Sequence, residues 1–318
     1  MFETQRVADH ERGKMSITMI PFAEGEANLN WLDLCAAFRA GHQLPKAEIA
    51  DSFLYRDKDT VLSRAAWIDG MGMAVKTATI FPGNPAKGDP MINGAVNLYS
   101  DSDGTLEAIV DFHLVTKWKT AGDSLCAATQ LARPDSEDIL IVGAGTVGRN
   151  LFQAYSAAFP KARFSIWNRT RANAEAMVAD CPGLIVVDDL EAAVTAADIV
   201  TSATMSTDPL IKGAWFRPGQ HIDLIGAYRP DMREADDEAL KRARVFVDSY
   251  DTTVGHIGEI KIPMEADVIT QDDLQADYYE PDRFSRQSED DITLFKNGGG
   301  AHLDLMTSSY ILNAWRAA

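Results

Sequence analysis

The chain of 318 residues contains only three cysteines and no long apolar run. Cys35, Cys126 and Cys181 are scattered and odd in number, which argues against a disulfide framework or a zinc site and favours a reducing cytoplasm. A membrane span needs roughly 20 consecutive apolar residues, and no run approaches that length. Residues 1–14 are polar and lack the apolar core of a secretory signal peptide.

Positive charge is also scarce. The chain has 30 Lys and Arg against 47 Asp and Glu, a formal net charge of −17 at pH 7. This balance argues against a general affinity for nucleic acid or for an anionic membrane. A site for an acidic substrate must therefore build its own local positive field. The hydrophobic fraction of 46% is that of an ordinary globular protein, and the length allows two domains.

The first part of the chain is dominated by strand patterns. Turn signals at 57–59 (DKD) and 101–104 (DSDG) separate strand-like segments and predict hairpins. The predicted strands are 15–20, 52–56, 60–67, 73–81, 95–99 and 106–112. Helices are predicted over 32–39, capped near Asn30, and over 118–132, ended by Pro134. This part therefore predicts an α+β domain.

From Asp138 the pattern changes to short strands alternating with helices, which predicts a parallel, doubly wound α/β sheet. The predicted strands are 139–142, 163–167, 184–187, 198–203, 221–227 and 244–249, with helices at 149–158, 171–180, 189–197 and 236–243. Residues 251–291 are acidic and irregular, with short helical pieces. Beyond 292 we predict a loop, NGGG at 297–300, and an amphipathic helix that packs back on the first domain.

A glycine motif joins the first strand of this second part to its first helix. In ILIVGAGTVGRN, residues 139–150, Gly143 makes a tight turn, Gly145 lets a pyrophosphate approach the backbone, and Gly148 allows close packing of helix and strand. The phosphates bind free N–H groups at the helix start. The motif predicts a dinucleotide site; a glycine-rich turn in an unrelated α/β fold is the alternative.

The residues after the second strand of this part bear on the choice of dinucleotide. An acidic residue there selects NAD by binding the ribose 2′-hydroxyl, whereas an arginine can accept the 2′-phosphate of NADP. Here the strand is followed by Asn168, Arg169, Thr170 and Arg171, with no carboxylate. Arg169 beside an amide and a hydroxyl favours NADP. Stacking of Arg169 on the adenine of either cofactor is the alternative, so NAD is not excluded.

The segment 70–318 resembles the ornithine cyclodeaminase/μ-crystallin family. The matching pieces include VKT at 75–77, KTA at 119–121, LARPDSEDILIVGAGTVG, IWNRTRANAEAM, SATMSTDPLI, GAYRPDMREADDE, FVDS and ITLFKNGGGAHLDL. The resemblance implies a substrate-binding and homodimer-forming domain over 1–120 and a Rossmann domain over 121–295. It also implies that 296–318 completes the first domain and that the active site lies in the cleft between the two domains.

The resemblance further implies roles for four residues of the substrate site. Lys76 matches the family's acid/base lysine, and Lys119 stands where the family usually has the arginine that clamps the α-carboxylate. Tyr228 replaces an aspartate of the cyclodeaminases, which disfavours ornithine cyclisation and favours a reductase. Arg64 stands where relatives commonly have methionine; facing the pocket it would suit a second carboxylate, but it could equally face solvent or a partner subunit.

From the glycine motif, the residues after the second strand and the resemblance together, cofactor contacts are expected at twelve positions: Thr120, Gly143, Gly145, Thr146, Val147, Gly148, Asn168, Arg169, Thr170, Thr204, Met205 and Gly226. Structural roles are expected for His113 and His221, and His302 is the best placed of the three for proton transfer. No metal site is predicted, because the acidic runs near 272 and 289 lack matched ligand spacing.

Together these features predict an NAD(P)H-dependent reductase that converts an α-imino acid to an α-amino acid. The leading substrate is iminosuccinate, which would give aspartate with Arg64 on the distal carboxylate. A cyclic ketimine, pyrroline-2-carboxylate or piperideine-2-carboxylate, is the alternative and would need an apolar wall. An amino-acid dehydrogenase or cyclodeaminase-type enzyme and a non-catalytic NAD(P)H-binding protein also stay open.

Overall fold

The computed structural model describes residues 17–318, which form two sheets covered by helices. Positions 15 and 16 of the first predicted strand lie outside the described residues. The first sheet has six strands in the order β1-β6-β5-β4-β3-β2, antiparallel except for the pair β1 and β6. Its strands are β1 Thr18–Ile20, β2 Glu48–Arg56, β3 Asp59–Ile68, β4 Gly72–Ile80, β5 Ile92–Tyr99 and β6 Leu106–Asp111.

Three helices accompany this sheet: α1 Phe22–Glu26, α2 Trp31–Gly41 and α3 Phe112–Leu131. The Asn30 side chain caps α2, as predicted, by accepting from the N–H groups of Leu32 and Asp33. The α3 helix begins at Phe112 rather than at 118, because Asp111 caps it by accepting from the Leu114 N–H at 2.9 Å. In β4, burial alternates along the strand and places Lys76 on the buried face.

The second sheet is parallel throughout and has eight strands in the order β13-β12-β14-β11-β10-β7-β8-β9. Its strands are β7 Asp138–Val142, β8 Arg163–Trp167, β9 Leu184–Val186, β10 Ile199–Ser202, β11 His221–Leu224, β12 Arg244–Val247, β13 Leu274–Ala276 and β14 Thr293–Lys296. The helices that cover it are α4 Thr146–Ala158, α5 Arg171–Asp180, α6 Leu190–Ala196, α7 Asp237–Arg242, α8 Tyr250–Thr253 and α9 Gly258–Glu265.

The sequence patterns do not predict strand β14 in the C-terminal segment. It lies between β11 and β12, and all four of its residues are buried. The loop 297–300 that follows therefore starts at the carboxyl edge of the parallel sheet. In open α/β sheets this edge is where ligands bind.

The last helix, α10 Ala301–Ala317, packs on α2, α3, β3 and β4, so the end of the chain returns to the first sheet. The predicted fold is thus confirmed: a doubly wound parallel sheet beside an α+β unit with a C-terminal helix. The limit predicted at residue 120 falls inside α3, and the division into domains stays a prediction. Within residues 17–318, no helix is both long and apolar enough to span a membrane.

Candidate active site

The glycine loop has the geometry that its motif predicts. Gly143 has a φ of +111°, and a Cβ there would lie 2.8 Å from the Ala203 carbonyl oxygen. A Cβ on Gly148 would lie 2.1 Å from the Gly143 carbonyl oxygen, so α4 approaches the loop at a distance that only glycine permits. These two glycines are required by the packing of the fold itself.

Gly145 differs from its neighbours because a Cβ there would meet nothing within 4 Å. It is the N-cap residue of α4, and no side chain within 17–318 caps the helix. The N–H groups of the first turn, which begins with Thr146 and Val147, have no acceptor within the helix. The open space and the uncapped positive end of the helix fit the diphosphate of a dinucleotide.

Asn168 shapes this loop from the end of β8. Its Oδ1 accepts from the Ala144 N–H at 3.0 Å, and its Nδ2 donates to the Thr170 carbonyl at 2.8 Å. The side chain therefore ties the glycine loop to the segment after β8.

Arg169 is exposed and makes no hydrogen bond or ion pair with any residue from 17 to 318. Neighbouring Arg171 is engaged instead, with Nε 2.7 Å from Glu175 Oε1 and a second contact to Asp188. Both arginines line a cavity of about 170 Å³ together with Trp167 and Asn168. A free guanidinium at this position fits a ribose 2′-phosphate.

The loops after β10 and β11 touch each other. A Cβ on Gly226 would lie 1.9 Å from the Thr204 carbonyl oxygen. The next residue, Met205, is 76% exposed, so its side chain is accessible to a ligand. Tyr228 is also exposed, at 59%. Thr120, on α3, accepts from Asn297 Nδ2 through its carbonyl at 3.0 Å and so links the two sheets.

Lys76 and Arg64 are direct register partners on β4 and β3. Lys76 Nζ donates to Asp304 Oδ1 at 2.8 Å and to Thr116 Oγ1 at 3.0 Å. It also lies 4.7 Å from the centre of the Phe112 ring. The lysine is thus held by groups from α3 and α10.

Arg64 is bound mainly by Asp51 on β2. Its Nε and Nη2 lie 3.2 and 2.8 Å from the two Asp51 carboxylate oxygens, and Nη1 donates to the Gly299 carbonyl at 3.0 Å. Nη1 is also 4.0 Å from Asp304 Oδ2. Arg64 therefore points toward the loop at 297–300, with the Asp51 carboxylate already on its guanidinium.

Lys119 joins these two cations, because its Nζ donates to the same Gly299 carbonyl at 3.2 Å. Lys117 does not: its Nζ lies 2.6 Å from Glu26 Oε1. The spacing of two residues on a helix predicts this divergence. Asp248, after β12, fixes Gly299 by accepting from its N–H at 2.8 Å.

Four carboxylate or hydroxyl groups of this cluster had no role assigned from the sequence: Asp51, Thr116, Asp248 and Asp304. Asp304 carries a signal that could have revealed it. It lies between Leu303 and Leu305 on a helix with an apolar face, and a buried carboxylate requires a partner. The identity of that partner depends on the fold.

The electrostatics of the cluster favour ionised Asp304 and an easily deprotonated Lys76. Burial lowers the pKa of Lys76 to about 8, with the charges of Lys119 and Arg64 adding to burial and Asp304 opposing it. Burial alone would raise the pKa of Asp304, but the three surrounding cations outweigh it and lower that pKa. Lys76 can therefore change protonation state near neutral pH.

Of the three histidines considered for proton transfer, two are buried and one is exposed. His302 is fully buried, its ring centre is 5.3 Å from that of His42, and burial lowers its pKa to about 3. Neither ring nitrogen of His302 has a hydrogen-bond partner among the described residues. His221 is buried with Nδ1 2.9 Å from Thr293 Oγ1, and His113 is exposed. A neutral His302 cannot supply a proton at physiological pH.

A cavity of about 160 Å³ opens beside the two cations of β3 and β4. Arg64, Lys76 and Thr116 form its polar side. Its remaining wall is apolar and consists of Leu62, Ala78, Ile80, Ile92 and Phe112. The site can hold a small carboxylic acid whose body is apolar.

Known proteins of one family are similar to this chain over most of its length. The family model of the ornithine cyclodeaminase/mu-crystallin family matches residues 55–318. A Δ1-pyrroline-2-carboxylate reductase of Paracoccus denitrificans is 50% identical over 300 residues, which cover 92% of this chain and 95% of that protein. The ketimine reductase mu-crystallin of Rattus norvegicus is 31% identical over 245 residues, 76% of each chain.

Among solved structures, an archaeal alanine dehydrogenase dimer with bound NAD superposes with a TM-score of 0.85 at 25% identity, covering 95% of this chain and 96% of that one. The match of the family model over most of the chain and the identity to the Paracoccus denitrificans relative both exceed what a shared fold alone would give. The chain belongs to the ornithine cyclodeaminase/mu-crystallin family.

Proposed function

We propose that this protein uses NAD(P)H to reduce a cyclic α-imino acid, with Δ1-pyrroline-2-carboxylate as the leading substrate, to the cyclic α-amino acid. The observation that carries the proposal is the cavity in which Lys76 and Arg64 face an apolar wall. The half-identical relative from Paracoccus denitrificans, named for that substrate, supports it. The glycine loop and the open space at Gly145 support a dinucleotide as the second reactant.

Reduction of a C=N bond requires a hydride at carbon, a proton at nitrogen and a grip on the carboxylate. A reduced dinucleotide, when bound, would supply the hydride. Lys119, whose Nζ donates to the Gly299 carbonyl, would bind and orient the carboxylate. Lys76, with its pKa of about 8, would hold or donate the proton at the imine nitrogen.

The cavity wall favours a cyclic substrate over iminosuccinate. A ring of methylene groups suits Leu62, Ile80 and Ile92, whereas the guanidinium of Arg64 already carries Asp51. Iminosuccinate is the second candidate, because Arg64 lines the cavity and could exchange Asp51 for a distal carboxylate. Cyclisation of ornithine is disfavoured, since Tyr228 provides no carboxylate.

For the cofactor we propose NADPH over NADH, because Arg169 has no partner within 17–318, whereas Asp188, the acid that lines the same cavity, is already bound by Arg171. We further propose a homodimer formed through the first sheet. Edge strand β2 exposes Phe53, Leu54 and Tyr55, and such an edge is usually covered by a partner. The three cysteines are buried free thiols, which fits a cytoplasmic protein.

The test follows NADPH and NADH oxidation with Δ1-pyrroline-2-carboxylate, piperideine-2-carboxylate and iminosuccinate. We expect the highest kcat/KM with a cyclic ketimine, and Arg64→Met should reduce iminosuccinate turnover more than ketimine turnover. Arg163→Met is the matched control, because Arg163 also binds an aspartate, Asp138, through Nε and Nη2 but lies at the start of β8. Higher kcat/KM with iminosuccinate would replace the first candidate by the second. Binding of NADPH without turnover of any of the three would indicate a non-catalytic protein.

A further inference from the structure

Glu234 is a fully buried carboxylate that lies behind the proposed cofactor site. Its Oε1 accepts three hydrogen bonds from the end of β10 and the loop that follows. The donors are Ser202 Oγ at 2.6 Å, the Thr204 N–H at 2.7 Å and Thr204 Oγ1 at 2.8 Å. One oxygen therefore fixes the backbone and the side chain of Thr204 together.

The other oxygen of Glu234 fixes the neighbouring loop. Oε2 accepts from the N–H groups of Gly226 and Ala227, at 2.5 and 3.3 Å, just after β11. One carboxylate thus clamps two loops that also meet through the close approach of Gly226 to Thr204 and through backbone hydrogen bonds from Ile225 to Ser202 and from Arg233 to Ser206. Removing it would leave five donors without their acceptor.

Glu234 is itself held in place. Glu259 accepts from the N–H groups of Glu234 and Ala235, at 2.7 and 3.1 Å, and is also fully buried. Lys296, at the end of β14, donates to the carbonyls of Leu224 and Asn297 at 2.8 Å each. Its charge compensates the two buried carboxylates, while burial lowers the pKa of Lys296 and the charges of Glu234 and Glu259 partly oppose that lowering.

The position of the two loops indicates which half of a dinucleotide they would meet. The strand order β14-β11-β10-β7-β8 places them between the loop at 297–300, where the substrate cations converge, and the glycine loop after β7. The adenosine half would lie on the opposite side, toward β8 and Arg169. The clamped loops therefore face the reacting half of the cofactor.

We propose that Glu234 is a positioning residue for the nicotinamide half of the cofactor: it holds the loops after β10 and β11 at one fixed separation, so that the ring is presented to the substrate cations. This inference rests on the proposed function. Glu234 would thus control the position of the nicotinamide ring during hydride transfer without touching substrate or cofactor.

The test compares two probes, NADPH and 2′-phospho-ADP-ribose, which lacks the nicotinamide. We expect Glu234→Gln to weaken NADPH binding by about tenfold or more while binding of 2′-phospho-ADP-ribose changes by less than about twofold. The kcat with the imino acid should fall as well. The matched control Glu259→Gln changes an equally buried carboxylate that binds the N–H groups of Glu234 and Ala235 but none of the five donors of the clamp, and it should lower Tm with a smaller separation of the two probes.

If Glu234→Gln does not fold, Ser202→Ala removes one buried donor of the clamp and should give the same separation in smaller degree. Equal weakening of both probes by Glu234→Gln or Ser202→Ala, or a separation equally large in Glu259→Gln, would overturn the assignment. If the wild-type protein turns over no imino acid but Glu234→Gln still weakens NADPH binding more than 2′-phospho-ADP-ribose binding, the proposed function alone would be overturned. Absence of binding of either probe to the wild type would overturn both.

Discussion

The Nζ of Lys76 donates to Oδ1 of Asp304 at 2.8 Å, although the two residues are 228 positions apart in the chain. Lys76 lies on β4 in the first sheet and Asp304 on the last helix, and both are buried. The proposed acid/base lysine therefore acquires its counter-ion only when α10 docks on the first sheet. This contact brings the last helix into the proposed active site.

The protonation of Lys76 should set the alkaline limit of activity. Its pKa is lowered to about 8, so the proton that the imine nitrogen needs is present below that pH and lost above it. We expect kcat/KM for Δ1-pyrroline-2-carboxylate to fall as pH rises through about 8. Lys76→Met should lower kcat/KM by about 100-fold or more.

The pH profile of Lys76→Met shows whether Lys76 causes the alkaline fall in kcat/KM. A fall that persists in this variant must come from another group, such as one on the substrate or the cofactor. Lys117→Met is the control, since that lysine faces Glu26 and should leave the profile unchanged. A wild-type profile that stays flat between pH 7 and pH 10 would contradict the role given to Lys76.

Asp304→Asn should move this limb to lower pH. The Asp304 charge raises the pKa of Lys76, so its removal leaves burial and the two neighbouring cations unopposed. Loss of one partner of a buried pair should also reduce the free energy of unfolding by about 3 kcal/mol. Asp51→Asn is the comparison, because Asp51 binds Arg64 and not Lys76. A limb displaced to higher pH in Asp304→Asn would contradict this electrostatic account.

Local patterns predicted the elements that carry the site but not the contacts that complete it. Alternation along β4 and the glycine motif before α4 are both readable within a few residues, and both were correct. The pairing of Lys76 with Asp304 depends on the packing of α10, which no local pattern encodes. Resemblance identified Lys76, whereas only the fold identified its partner.

The omission of β14 has a similar cause. Its residues, TLFK, form a short apolar run that ends in a lysine and follows a long irregular segment. Strands of this length cannot be distinguished from loop residues by periodicity. For Asn168, the sequence predicted a place beside the cofactor. Its hydrogen bond to the Ala144 N–H is visible only in the folded loop.

Two glycines of the motif should respond differently to alanine. Gly145→Ala meets open space, so we expect Tm to change by less than about 2 °C. Its Cβ would occupy the space proposed for the diphosphate, and KM for the dinucleotide should rise by about tenfold. In Gly148→Ala the new Cβ collides with the Gly143 carbonyl, and overpacking should cost about 1–3 kcal/mol of stability.

Thermal unfolding and dinucleotide titration on the same samples check this pair. The two variants serve as controls for each other, because one tests ligand space and the other packing. Unchanged dinucleotide binding in a well-folded Gly145→Ala protein would argue against a phosphate at this position.

Arg169→Ala should weaken NADPH binding by about tenfold or more and affect NADH by less than about twofold, because only NADPH carries the 2′-phosphate. Arg171→Ala is the matched control, since that guanidinium is already engaged by Glu175 and Asp188. Titration of both nucleotides against both variants measures the difference. Equal losses for NADPH and NADH in Arg169→Ala would favour stacking on the adenine instead.

Leu54→Glu should convert the proposed homodimer to a monomer. Leu54 is 67% exposed on β2, the edge strand of the first sheet, and Phe53 and Tyr55 flank it. A carboxylate on each protomer at a shared apolar edge would be desolvated and would face its like charge in the partner. Size-exclusion chromatography with light scattering should give about twice 34.8 kDa for the wild type and 34.8 kDa for the variant.

Ile185→Glu provides the control for this experiment. Ile185 is 63% exposed on β9, the edge strand of the second sheet, so the substitution changes a similar residue in a similar setting on the other sheet. If the first sheet forms the interface, only Leu54→Glu dissociates. A protein that stays dimeric as Leu54→Glu but dissociates as Ile185→Glu would move the interface to the parallel sheet, where it would lie beside the proposed adenosine site and not beside the substrate cations.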